Sequence, residues 1–176
     1  PLKKVVVIHG LAGMGRDMFN RYMTSAQKKL KAGKFYDAIG EYEITITIDS
    51  SNPLARLGVS LARFAAGESL SASIQLRKAL ELFPPLMETR LDIPGKLSKS
   101  VVVNQLERVN VRMKEAEIID PRLAFLYTFI SYNIGQEKEA KEMAGKLKKF
   151  SGDDLLMATY ADFILTGKRP ALQPAE

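Results

Sequence analysis

The residues most suggestive of chemistry open the chain. Val5-Val6-Val7-Ile8-His9-Gly10-Leu11-Ala12-Gly13-Met14-Gly15 places glycines behind a β-branched run, the arrangement of a nucleotide-binding strand-to-helix turn. The spacing is G-x-x-G-x-G rather than G-x-G-x-x-G, and no Gly-Lys-Ser/Thr follows anywhere. A His-Gly after a strand also occurs in hydrolases, but the nucleophile turn G-x-S-x-G is missing and the single His leaves no second base. With no Cys, a disulfide framework, thiol catalysis and a thiolate metal site are excluded, and one His excludes a multi-His zinc site. No catalytic, cofactor-binding or metal-ligating residue is therefore assigned. The stretch is expected to be an extended arm, residues 1–16, lying against the first helix or a neighbouring chain.

Lys and Arg number 26 against 20 Asp and Glu, a net charge of +6. Lys28, Lys29, Lys31 and Lys34 form one cluster, and Lys141, Lys146, Lys148 and Lys149 another. Nucleic-acid binding would interleave such clusters with stacking aromatics, yet the aromatics here keep core periodicity. Nucleic acid is not the expected partner. Glu137/Lys141 and Glu142/Lys146 read as helix-supporting pairs at the solvent face. No apolar run reaches the roughly 20 residues of a membrane helix, so a soluble protein of cytoplasm or periplasm is expected. Opening on Pro1 rather than Met, the chain reads as a fragment or processed product.

The elements that must carry these residues follow a repeat. Shifted by 34 residues, Gly33 falls on Gly67, Ala38 on Ala72, Tyr42 on Leu76 and Ile48 on Leu82. Shifted by twice that, Gly67 falls on Gly135, Pro53 on Pro121 and Ala72 on Ala140. Phe19, Tyr22, Ala26 and Leu30 mark a helix over 17–32, which Gly33 ends. A second helix runs from Phe35 to about Asp49, although Ile44-Thr45-Ile46-Thr47-Ile48 alternates like a strand. The 34-residue ruler sets that run opposite a plain helix, which decides for helix. Helices over 53–66 and 69–83 repeat the pattern around Gly67. Residues 85–100 predict a short helical turn and a loop, and 101–119 one long helix. Helices over 121–134 and 137–150 flank Gly135, and Asp153 or Asp154 caps a last helix ending at Gly167. A loose tail, 168–176, closes the chain.

These positions resemble the tetratricopeptide repeat family, through Ala26, Gly33, Ala38 and Tyr42, then Gly58, Gly67, Ala72, Leu76, Ala79 and Pro84, and more weakly Gly135, Ala140, Ala144 and Leu147. Ser50 stands where the family has Pro and Lys29 where it has an apolar residue. The resemblance implies an all-α fold: antiparallel helix pairs in a right-handed superhelix over 17–167, degenerate at 85–120, with a capping last helix. It also implies a non-catalytic protein–protein interaction module, an adaptor or scaffold whose concave groove is lined by the first helix of each pair. Here that groove would present Asn20, Met23, Thr24 and Gln27, then Arg56 and Arg63, then Tyr127, Ser131 and Tyr132. The family's carboxylate clamp would fall near Met23, Gln27 and Gly58 and is absent. The two arginines predict an acidic, extended partner segment. Self-assembly through the stack's ends or by arm exchange is the alternative, and a nucleotide-binding or hydrolytic enzyme a third reading.

Overall fold

The computed structural model describes residues 6–13 and 17–168; Val5, Met14, Gly15 and the tail from 169 onward lie outside them. In chain order, a short strand β1 (Val7–Ile8) precedes the helices α1 (Met18–Lys31), α2 (Phe35–Ile48), α3 (Pro53–Ala65) and α4 (Ser69–Leu82). A 3-10 turn (Pro84–Glu88) and a strand β2 (Arg90–Leu91) follow. The remainder is α5 (Lys99–Glu115), α6 (Pro121–Asn133), α7 (Glu137–Phe150) and α8 (Leu155–Thr166). The architecture is all-helical apart from the parallel pair β1–β2. No helix among the described residues is long and apolar enough to cross a membrane.

Three turns are built alike. After α1, Gly33 N–H donates to the Leu30 carbonyl and Lys34 N–H to the Lys29 carbonyl. After α3 the same two bonds run from Gly67 to Phe64 and from Glu68 to Arg63, and after α6 from Gly135 to Tyr132 and from Gln136 to Ser131. This is the Schellman helix end, which needs a left-handed residue just past the cap. Gly33, Gly67 and Gly135 sit at φ 78°, 88° and 83°, where a side chain would be strained. Turns this short fold α2 back on α1, α4 on α3 and α7 on α6, so each pair is antiparallel.

The starts of the helices follow equally local rules. Asp17, Asn52, Ser98, Asp120 and Asp154 each accept a backbone N–H in the first turn of the helix they open. Pro53 and Pro121 occupy first-turn positions that need no donor.

The pairs stack through small residues. Ala38, Ala72 and Ala140 are fully buried. Gly58 receives the ring of Tyr42 directly, and a Cβ there would overlap it. Lys29 does not face the core: it spans α1 and α2 with a 2.6 Å ion pair to Glu41. The run Ile44–Ile48 is helical. Thr45 is buried with its hydroxyl on the Tyr42 carbonyl, and Thr47 bonds the Glu43 carbonyl.

Residues 85–120 contribute no helix pair. α6 packs on α4, while α5 lies against α3 and α6. Leu86, Met87, Leu91, Ile93, Leu97, Val102, Leu106, Val109 and Met113 of this stretch are buried in the same core as the helix pairs. α5 stops at Glu115, short of the expected 119. The chain leaves the helix at Ala116, whose backbone is extended, and Asp120, the residue before a proline, is extended as well.

Candidate functional site

The first helices of the pairs are linked in series: α1 touches α3, α3 touches α5, and α5 and β2 touch α6. Three side-chain amides on α1 and α6 carry the chemistry of these helices. Asn20 Oδ1 accepts the Gly13 N–H at 2.9 Å, and its Nδ2 donates to Asp17, which orients the amide. Gln27 Oε1 accepts the Leu11 N–H at 3.1 Å. Asn133 Oδ1 accepts the Leu91 N–H at 2.5 Å while its Nδ2 holds the Phe129 carbonyl, one turn back on α6. Each amide grips main chain of this same molecule: Leu91 in the strand β2, and Leu11 and Gly13 where the arm bends after β1.

The two segments are bound to each other as well. Arg90 and Asp92 N–H donate to the Val6 and Ile8 carbonyls at 2.8 and 3.0 Å. Lys96 is buried, and its Nζ donates to the His9 and Asp92 carbonyls at 2.8 and 3.0 Å. Burial lowers the Lys96 pKa, with the nearby Asp92 carboxylate opposing. Asp92 accepts the Gly95 N–H, which holds its carboxyl below the usual range, with His9 and Lys96 adding to the effect. His9 Nδ1 lies 3.4 Å from the Asp92 carboxylate, a partner 83 residues away in sequence.

The nine groove candidates meet different fates. Asn20 and Gln27 are on the expected side but already hold the arm. Thr24 is exposed beside it and lines a 260 Å³ cleft with Gly10, Ala12, Gln27, Lys28, Lys31 and Gly95. Met23 and Ser131 are fully buried and line no groove, because each sits on the core-facing side of its helix. Tyr127 is half-buried, and burial raises the pKa of its hydroxyl. Tyr132 is packed between Arg90, 4.4 Å above its ring, and the edge of Phe163.

Arg56 and Arg63 both have partners within the molecule. Arg56 reaches Gln75 of α4 and the Ser50 carbonyl. Arg63 pairs with Glu43 of α2 and with Glu68, at 2.8 and 2.5 Å. Both turn toward the second helices, where carboxylate and amide partners stand. Glu137 likewise pairs with Arg90 at 2.7 Å rather than with Lys141, whereas Glu142 and Lys146 do meet, at 3.5 Å.

Of the main-chain amides in the glycine-rich start, those of Leu11 and Gly13 are taken by α1. Among the described residues no group of three His, Cys, Asp or Glu could hold a metal ion. A wider cavity of 520 Å³ lies between α4, the 118–122 linker and the start of α8. Its four charged residues form two ion pairs, Arg77 with Asp154 and Arg122 with Asp120. Asn133, Lys96 and Asp92 were not singled out in sequence. A buried Asn closing an otherwise apolar helix was the one signal for Asn133, since such a group needs a partner.

Compared with protein-family models, curated proteins and solved structures, the chain matches none.

Proposed function

We propose that the chain is a tetratricopeptide-like helical-repeat module that binds a protein or peptide segment without catalysis. The observation that carries this reading is the amide set Asn20, Gln27 and Asn133 on first helices, each holding a main-chain amide of a non-helical segment. Side-chain amides offer both a donor and an acceptor without charge, which suits the peptide group itself. The repeated helix ends at Gly33, Gly67 and Gly135 and the Gly58–Tyr42 contact support a stack of like pairs, the scaffold on which such surfaces are built. An acidic partner is not part of the proposal, because Arg56 and Arg63 are engaged at home.

Peptides selected by display on the immobilised chain test it. Their affinity should fall roughly tenfold or more for Thr24→Arg, on the exposed part of the first-helix side, and hold for Lys138→Glu on α7. The reverse pattern would place the binding face elsewhere. Light scattering of the chain alone completes the test: stable oligomers and no selected peptide would replace the reading by self-assembly.

A further inference from the structure

Between Val6 and Gly13 most of the hydrogen bonds that hold the arm are made by its backbone. The Val6, Ile8 and His9 carbonyls accept from Arg90, Asp92 and Lys96, and the Leu11 and Gly13 amides donate to Gln27 and Asn20. Most side chains of the arm turn outward: Val6 is 63% exposed, Val7 42%, and His9 and Gly10 are open. Leu11 is 2% exposed and part of the core cluster, and Ile8 and Ala12 are partly buried and packed against it. Gly13 is a second constraint, since a Cβ there would come within 3.0 Å of Asn20 Oδ1. A site that grips main chain, buries a leucine, packs on an aliphatic residue three places before it and demands a small residue two places after it recognises a peptide by its backbone and these few positions.

Parts of the receptor half are also held by bonds of their own. Asp17 orients Asn20, and the Asp92–Lys96 turn is closed by the Gly95 N–H to Asp92 bond and the Lys96 Nζ to Asp92 carbonyl bond. The arm contributes a two-residue strand, five backbone hydrogen bonds, the Leu11 anchor and the partly buried Ile8 and Ala12.

We propose that residues 6–13 are a built-in occupant of a peptide site. The same site takes, in competition, a non-helical segment of a partner protein with a leucine followed two residues later by glycine. The proposal rests on reading the first-helix side as peptide-binding. A tethered occupant acts at an effective concentration of roughly millimolar, so the native chain should bind an external peptide weakly and a chain with a weakened arm more tightly.

The test uses the full chain and a labelled peptide of residues 6–13, followed by fluorescence anisotropy. Leu11→Ser and Gly13→Val each damage the occupant and leave the receptor residues unchanged. Affinity for the peptide should rise roughly tenfold or more in either variant. Adding Gln27→Leu should remove the gain, and a peptide with its leucine replaced by serine should not bind. Circular dichroism establishes that each variant is folded, and Gly13→Val decides if Leu11→Ser is not. Unchanged affinity in folded variants, or loss of folding in both, would overturn the proposal and make the arm a fixed part of the core. A native dimer by light scattering that Gly13→Val converts to monomer would also overturn it, with a second copy's arm as the occupant. Display-selected peptides that lose affinity on Thr24→Arg, with no binding of the arm peptide to any variant, would refute this inference alone; no binding of either kind would refute the module reading as well.

Discussion

Gly58 and Tyr42 show how a single position can reverse a general preference. Gly58 lies inside α3, where alanine is ordinarily better by about 1 kcal/mol. The Tyr42 ring occupies the space a methyl group would need, and Tyr42 is fully buried. Gly58→Ala should therefore destabilise, by roughly 1–3 kcal/mol in urea denaturation, because overpacking displaces a ring that has nowhere to go. Tyr42→Leu in the same chain should recover part of that loss, and a double-mutant cycle measures the coupling. The Tyr42 hydroxyl is buried without a hydrogen-bond partner, and burial raises its pKa well above that of a free tyrosine. The ring, not the hydroxyl, is what the site keeps. A stabilising Gly58→Ala would mean that the second pair sits farther from the first than the contact indicates.

At the scale of elements, α2 is a helix that its own sequence resists. Ile44 to Ile48 are β-branched throughout, and Thr45 and Thr47 both turn their hydroxyls back onto α2 carbonyls. Packing holds the run helical, with Thr45 and Tyr42 buried against the neighbouring helices. Exposed Thr47 contributes no such packing, so Thr47→Ala should raise stability by about 0.5 kcal/mol, read from the denaturation midpoint.

The 92–96 turn predicts a pH dependence. The Asp92 carboxyl is held below its ordinary value chiefly by the Gly95 N–H. A carboxylate depressed on folding stabilises above its unfolded pKa of about 3.9, and that stability is lost as pH falls through the folded value. Amide hydrogen exchange at Gly95 and Lys96 should accelerate, beyond the intrinsic pH effect, as acid protonates Asp92. Asp92→Asn should flatten that response, and an unaltered response would remove Asp92 from the turn's support.

Across the whole molecule, buried apolar residues from the arm, both halves of the helical stack and the 85–120 excursion form one cluster. Ion pairs tie distant parts together: Arg77 on α4 with Asp154 before α8, and Arg90 on β2 with Glu137 on α7. A stack held only by neighbouring pairs can melt in sections, whereas one crossed by long-range contacts should not. Urea unfolding should be a single transition, coincident by circular dichroism and by tyrosine fluorescence. Two separated transitions would show that α1–α4 and α6–α8 unfold independently and that the excursion is a weak link.

What could be read from the sequence alone was what neighbours along the chain decide. Gly33, Gly67 and Gly135 end helices because only glycine tolerates the left-handed turn, and Asp17, Asn52, Asp120 and Asp154 start them because their side chains reach the next free amides. The 34-residue period even overruled the β-branched run in α2. Which side each helix shows to its neighbours was a different matter. Met23 and Ser131 follow a groove spacing yet point into the core, and Arg56 and Arg63 turn to partners on other helices, because the rotation of a helix is set by the elements packed around it. The arm was legible as extended but not as bound, since Arg90, Asp92 and Lys96 lie some eighty residues away. Backbone groups pair with whatever the fold brings near, and only the tertiary structure brings these together.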